Sequence, residues 1–528
     1  MNLKIIITII SHTLILIGIL YSVIVIWKKH EEKQTLNIMT DAEIIDTIVD
    51  NFLQIAKVPR PSHNEEKISQ FLIDWVANQG LNPFRDDYNN VMYEIPATKG
   101  MEDKPLGILQ GHMDMVVAVA QGKDFNPIND SITVIRDDVS GTLIADGTSL
   151  GSDDGIGLAI IMAVTQGKMS HGQLRIIITV DEEDGMEGAF HMSSSWLEGA
   201  SFLINIDNEY SNQIVVSTAA GDSTHAHKNV EYKNSSGNKS IQVEISNLKG
   251  GHSGVEIDKG RLNGIIALAQ FLKDLNIQGV DYELSSFVGG TASNAIPTGA
   301  KSILVINSTY LNIITKKMEE FCIALNETYR KIENTIICNV TELNTIPKIV
   351  SSTEKNNLIN FLTEIIDGVY TMSDDMEGLV ESSSNLGIVD MNPLYKSLEI
   401  ITYIRSSKEE KETEIINQQK NLALTYGFTN EDIEIKHMAD AWPFDPDSKL
   451  VELAKTIYKK QNKQDVEIIA VHAGLECGTF KQLNKELDMI SIGPDITDAH
   501  TISETLYLNS IPRAWNLLEG ILQAYPKI

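Results

Sequence analysis

The 528-residue chain carries 43 Lys plus Arg against 72 Asp plus Glu, a formal net charge of -29 at pH 7 that argues against nucleic acid as a partner. Its length can bury large cores and calls for more than one domain. Three cysteines, Cys322, Cys338 and Cys477, are too few and too scattered for a disulfide framework or a thiolate zinc site, and free thiols in a reducing compartment are expected.

Leu3 to Trp27 is almost wholly apolar and long enough to cross a bilayer as a helix. No small-x-small cleavage pattern follows at Val23 to Lys29, so the segment reads as a single-pass membrane anchor over residues 3–27 rather than a signal peptide. Lys28, Lys29 and Lys33 after it, against Lys4 before it, favour a cytoplasmic catalytic domain. Thr40-Asp41-Ala42-Glu43 starts a helix whose apolar residues Ile44, Ile48, Val49, Phe52 and Ile55 recur at helical spacing until Pro59 and Pro61. A second helix covers Glu65 to Gln79. Val91 to Ile95 and Leu106 to Leu109 read as strands, the latter running into Gly111-His112-Met113-Asp114.

Gly151-Ser152-Asp153-Asp154-Gly155-Ile156-Gly157 opens an apolar helix, and Leu174 to Val180 is a β-branched strand that ends in four acids, Asp181, Glu182, Glu183 and Asp184. Adjacent carboxylates at a buried strand end repel one another and lose hydration, so a cation is expected to compensate them. A solvated acidic turn is the commoner fate of such a run, and other ligands decide between the two. Phe202 to Ile206 forms another strand, with Asp207 at its end. In open α/β sheets sites gather at carboxyl ends of strands, which puts His112, Glu182, Glu183 and Asp207 on one rim.

After Ala219-Ala220-Gly221 the pattern changes to alternating strands, Gly-rich turns and helices at Leu262 to Leu275, Ile314 to Glu333 and Glu354 to Ile366, an α+β domain. The charged run Lys408 to Glu414 reads as a solvated helix start. Near Trp442-Pro443 the chain leaves this domain. The expected organisation is an anchor at 3–27, a catalytic domain in two parts at 40–220 and 441–528, and a lid at 221–440.

Zinc takes imidazole and carboxylate ligands, and a metal pair needs a bridging carboxylate. His112, Asp153, Glu183, Asp207 and His500 are the candidates, whereas His30, His63, His171 and His191 read as surface or packing residues. The motifs Gly-His112-Met-Asp114-Met-Val, Gly-Ser-Asp153-Asp154-Gly-Ile-Gly, Val-Asp-Glu182-Glu183, Ile-Asp207, Gly-Gly-His252-Ser-Gly, Ser-Asn294-Ala-Ile-Pro and His472-Ala-Gly-Leu-Glu476-Cys-Gly together resemble the M20 metallopeptidases. The nearest branch is that of the aminoacyl-histidine (beta-alanyl-histidine) dipeptidases, also called peptidase D. The resemblance covers Thr40 to the C-terminus, with the motifs in family order.

It implies an α/β, dimetal aminopeptidase-like catalytic domain with an inserted α+β lid, here carried behind the transmembrane helix. It implies two divalent metal ions, zinc by first choice, with Asp153 bridging, His112 and Asp207 completing one site, and Glu183 and His500 the other. Asp114 would orient His112, and Glu182 would be the general base. His252 would stabilise the oxyanion, while Asn294 and Arg405 would bind substrate. Glu476 is a candidate partner for the substrate's ammonium group. The expected activity is hydrolysis of Xaa-His and related short dipeptides, with a homodimer as the candidate assembly. An N-acyl-amino-acid amidohydrolase of the same fold is the first alternative, although Asp207 rather than Glu at its position leans towards peptidases. A non-catalytic membrane-tethered binding protein is the second, and its signature, loss of a ligand or of the base, is not seen.

Overall fold

A capping box begins the first helix of the computed structural model, which describes residues 39–374, 376 and 378–526. Thr40 Oγ1 accepts from the Glu43 N–H and the Glu43 carboxylate accepts from the Thr40 N–H at 2.8 Å, which starts Asp41–Ile55 at the residues the sequence marks. Its buried stripe, Ile44, Ile48, Val49, Phe52 and Ile55, packs on the helix Ser152–Thr165. That second helix is apolar all round, and every residue but Asp153 is buried, the mark of a helix enclosed on all sides.

Both helices cover an eight-stranded sheet. From edge to edge it runs Phe84–Arg85, Val91–Ile95, Leu174–Thr179, Gly107–His112, Phe202–Asn205, Asp488–Ser491, Gln213–Thr218 and Glu467–Val471. The strands Leu174–Thr179, Gly107–His112, Phe202–Asn205 and Asp488–Ser491 are parallel neighbours and almost wholly buried, as their β-branched runs require. Because His112 stands opposite Thr179, and Gln110 opposite Asn205, the residues that follow these strands emerge at one edge of the sheet.

A second sheet is antiparallel throughout its main path: Ile337–Leu343, Lys239–Ser246, Ala300–Ile306, Glu283–Gly289, Val380–Asn392, Ser397–Ser406, Ala220–Asn229 and Ile433–Ala439. The helices Gly264–Ile277, Leu311–Tyr329 and Ser352–Glu364 close a separate core around Ile241, Leu268, Phe271, Phe287 and Leu304. The two crossings between the sheets lie side by side. Thr218 donates to the Trp442 carbonyl at 2.9 Å and Trp442 donates back at 3.1 Å.

The long hairpin Val380–Asn392/Ser397–Ser406 carries no sequence signal of comparable strength. Its first strand buries Ser382, Ser383, Ser384 and Asn385, so no apolar alternation marks it.

Two expectations need correction. Cys322, on the helix Leu311–Tyr329, and Cys338, on the strand Ile337–Leu343, form a disulfide with Cα atoms 5.9 Å apart, and only Cys477 is a free, buried thiol. The pair meets because the helix folds back along the edge strand, which spacing in sequence does not reveal. The transmembrane helix expected at Leu3 to Trp27 lies outside the described residues, and among those described no helix is long and apolar enough to cross a membrane. Even Leu311–Tyr329, with 19 residues, is interrupted by Lys316, Lys317, Glu319 and Glu320. Among the described residues the fold is therefore the α/β domain with its α+β lid, without a membrane helix.

Phe52, fully buried between the first helix and Gly155 of the second, tests this packing. Phe52→Ala should lower the stability of the α/β domain by about 3–5 kcal/mol, read as a shifted urea midpoint at unchanged slope.

Candidate metal centre

Three strand ends deliver the first donors. His112 closes the strand Gly107–His112 and is buried. Its Nε2 lies 3.0 Å from Asp153 Oδ1 and 3.5 Å from Asp207 Oδ1. The other oxygen of Asp153, Oδ2, lies 3.0 Å from His500 Nε2, which is itself 2.9 Å from Glu183 Oε2. Asp153 thus offers one oxygen to each of two imidazole-carboxylate sets. All five residues named from sequence as metal ligands come together, although His112 and His500 are 388 positions apart, a separation read from their numbers.

The acidic turn is fixed by one carboxylate. Asp114 accepts from the N–H groups of Glu182 and Glu183 at 3.1 and 3.3 Å and from Ser62 Oγ at 2.9 Å, while its Oδ1 lies 3.3 Å from His112 Nδ1. Asp181 takes a left-handed conformation, φ 57°, that turns the chain at the strand end. Asp181 and Asp184 then hold His63 between them, at 3.1 Å from Nδ1 and 2.8 Å from Nε2. These two acids, without a role in the sequence reading, clamp the turn to the Pro61 loop.

Three further residues escaped the sequence reading. Buried Arg60 donates to the carbonyls of Met113 and Asp114 at 3.0 and 2.6 Å and also to Gly151, tying the His112 loop to the Asp153 loop. Its setting, Pro59-Arg60-Pro61, was the available signal, since a residue that precedes proline is biased towards extended backbone. Glu504 accepts from the N–H groups of Leu150, Gly151 and Ser152 at 2.9, 3.1 and 2.7 Å and from Ser152 Oγ at 2.6 Å, fixing the segment just before Asp153. Nothing local in sequence marks it. Asp154 accepts from His112 N–H at 3.2 Å and Gly157 N–H at 3.1 Å. Gly157 must be glycine, because a Cβ there would collide with Asp154 and with the Ile206 carbonyl.

The electrostatics of this cluster ask for a cation. Burial, reinforced by neighbouring acids, pushes Glu182, Glu183 and Asp154 above the usual carboxylate range and Asp207 up to about 7. Asp153 resists the same burial because His112 and His500 hold it below that range. Hydrogen bonds to Asp153 and Glu183 lift His500 to about 11. Glu183 Oε1 is buried without a hydrogen-bond partner. A donor set of carboxylates that cannot all ionise, two imidazoles and an unpaired buried oxygen fits divalent metal.

A cavity of about 870 Å³ opens beside the cluster, lined by Asp153, Glu182, Glu183, Asp207 and His500 on one side and His252 and His472 on another. His252 Nδ1 accepts from the N–H groups of Gly254 and Val255 at 3.2 and 3.3 Å, which leaves the proton on Nε2. Arg405 Nη2 lies 3.4 Å from that Nε2. Burial and this guanidinium lower His252 to about 4, and burial with Arg405 and His252 lowers His472 to about 3. His472 bonds Ser383 of the lid at 2.7 Å. Arg405 is buried behind His252, against the Tyr403 ring, with no carboxylate within ion-pair distance among the described residues. Asn294 does not line this cavity; it is exposed on an adjoining one of about 620 Å³ that shares His252. Glu476 does not line this cavity: it is buried, its Oε2 accepting from Gln110 Nε2 at 2.6 Å and Thr179 Oγ1 at 2.7 Å.

The profile of Peptidase family M20/M25/M40 matches residues 108–524. The chain is 31% identical over 482 residues to the cytosol non-specific dipeptidase of Escherichia coli (strain K12), covering 90% of this chain and 97% of that one. The crystal structure of aminoacylhistidine dipeptidase from Vibrio alginolyticus superposes with a TM-score of 0.81 at 30% identity, over 91% of this chain and 97% of that one. Aminopeptidase PepT from Bacillus cereus ATCC 10987, at 16% identity and a TM-score of 0.51 over 91% and 98%, shares the fold. The relative that spans nearly this whole chain is a protein named for the cytosol, and the single-pass membrane localisation expected from the N-terminal segment is withdrawn with the helix.

Two outcomes follow from this geometry. Glu504→Gln places an amide against four donors and should cost about 10–100-fold in metal affinity by loosening Asp153, measured by metal titration of the apo-protein. His252 and His472 are held neutral in the folded chain, whereas the unfolded chain takes up protons near 6.5. Their contribution to stability is therefore complete above pH 6.5 and lost as pH falls towards 4 and 3. Melting temperature should drop over that window, and His472→Gln should flatten the drop.

Proposed function

Because the chain belongs to peptidase family M20/M25/M40 and is a metal-dependent dipeptidase, we propose that it hydrolyses Xaa-His and related short dipeptides with water activated at Glu182. The observation that carries this reading is the split of Asp153, one oxygen towards His112 and the other towards His500, beside a glutamate that no metal donor needs. One divalent ion would be held by His112, Asp153 and Asp207, and a second by Asp153, Glu183 and His500, with zinc our choice for imidazole and carboxylate donors. When bound, such ions supply Lewis acidity towards the peptide carbonyl and the attacking water.

The remaining steps belong to the chain. Glu182, lining the cavity next to Glu183, takes a proton from the water at its carboxylate and passes it to the leaving amine. Asp114 holds His112 by Nδ1 and the acidic turn by two N–H groups, so ligand and base move as one unit. His252, neutral and protonated on Nε2, donates to the carbonyl oxygen as charge develops there. Arg405, a buried guanidinium without a carboxylate partner among the described residues, suits the C-terminal carboxylate of a dipeptide. Asn294 flanks the Ala295 that pairs with His252, and we assign it to the same end of the substrate. The lid at 221–440, between catalytic segments 40–220 and 441–528, carries these last three residues, a division supported by the two separate cores.

Glu182→Gln should lower kcat by roughly 10²–10⁴-fold while bound metal stays unchanged. On a panel of carnosine, other dipeptides and N-acetyl amino acids the wild-type protein should cleave the dipeptides; cleavage of the acetylated compounds alone would assign it to the N-acyl amidohydrolases instead.

A further inference from the structure

A dipeptide carries two charged ends, and Arg405 answers only the carboxylate. The ammonium nitrogen is bonded to the carbon next to the scissile carbonyl, so it must sit beside the metal donors, where bound cations repel it. Something anionic nearby has to offset that repulsion. Among the described residues six carboxylates line the cavity: Asp153, Glu182, Glu183, Asp207, Glu209 and Asp258. Three of them are donors to the metal pair and one is the base. Asp258 already meets Lys259 Nζ at 2.9 Å. Glu209 is left, half-buried, and no described residue donates to its side chain or lies within ion-pair distance of it.

Its backbone is held from both sides. The Glu209 carbonyl accepts from Ile496 N–H at 2.9 Å, and Ser211 N–H donates to Asp495 Oδ1 at 2.6 Å. Asn208 spans the turn, its side chain donating to the carbonyls of Tyr210 and Gln213 at 2.8 and 3.2 Å. Gly493 packs so closely on Asn208 that a Cβ there would collide with the Asn208 carbonyl. Glu209 therefore stands on a fixed turn two residues from Asp207, and a fixed carboxylate gives up little entropy on meeting a cation.

We propose that Glu209 is a specificity-determining residue that binds the free α-ammonium group of the substrate, making the cavity selective for unblocked dipeptides. The assignment rests on the dipeptidase reading. It gives the ammonium end a partner on the cavity wall, which Glu476, buried and outside the cavity lining, does not supply.

The test compares L-alanyl-L-histidine with N-acetyl-L-alanyl-L-histidine on the metal-loaded full chain, for wild type and Glu209→Gln, with bound metal measured in both. Wild type should prefer the free amine by tenfold or more in kcat/KM. In the variant KM for the free amine should rise about tenfold or more, the loss of one charge-assisted hydrogen bond, with kcat little changed and the acetylated compound unaffected. Glu209→Asp should recover part of the loss. A wild type that cleaves both compounds equally, an unchanged KM in Glu209→Gln, or loss of bound metal from that variant would overturn the assignment. Should Glu209→Gln fail to fold, the wild-type preference and the Glu209→Asp intermediate still decide it. Cleavage of neither compound by wild type would instead remove the dipeptidase reading itself.

Discussion

The structure depends on one shared carboxylate. Asp153 is almost enclosed, yet it stays ionised because each oxygen faces a different imidazole, His112 and His500. Around it Asp154, Glu182, Glu183 and Asp207 are all raised by burial and mutual repulsion. Such a cluster is unfavourable in isolation and is sustained by two things: positive charge to be supplied by metal, and a frame stiff enough that the carboxylates cannot move apart.

That frame comes from the parallel sheet. Parallel strands in register end at a common edge, and His112, the acidic turn and the Asp207 loop all leave from it. Strand ends alone would leave three flexible loops. Arg60 ties the His112 loop to the Asp153 loop, Glu504 gathers three successive N–H groups before Asp153, and Asp114 joins His112 to Glu182 and Glu183. Each of the three is a charged side chain buried against backbone groups that it bonds, an arrangement that gives geometric definition at the cost of desolvation.

What could be read in the sequence follows from where the physical signal is local. The helices Asp41–Ile55 and Ser352–Glu364 and the strand Leu174–Thr179 announce themselves by period and cap, and the proposed metal donors by motifs a few residues long. The hairpin at Val380–Asn392 does not, because its buried face is serine and asparagine whose partners lie on other strands. Glu504 and the Cys322–Cys338 pair are invisible for the same reason: a cap supplied across 352 positions or a bond between helix and edge strand leaves no local pattern. In the acidic run the sequence sets Glu182 and Glu183 apart from Asp181 and Asp184, but the partner of the second pair, His63, leaves no local pattern. Glu182 and Glu183 line the cavity, and Asp181 and Asp184 hold His63. The apolar N-terminal run was legible as a pattern too, but no described helix carries the corresponding property.

The lid completes the chemistry through charge rather than shape alone. Burial and the Arg405 guanidinium together keep His252 and His472 neutral, so in the proposed mechanism His252 donates from Nε2 without adding a positive charge. Across the cavity the turn that begins at Asp207 presents Glu209. In the proposed reading, a zwitterion laid between them would meet a guanidinium and a carboxylate that have no ion-pair partner among the described residues. The His472 to Ser383 bond at 2.7 Å joins the α/β domain to the lid at this place. Arg405 is buried, and dry surroundings strengthen the attraction of a guanidinium for a carboxylate. In a peptide blocked at its amino end Glu209 would be left without the cation that this pairing supplies, and only the Arg405 half of the charge match would remain.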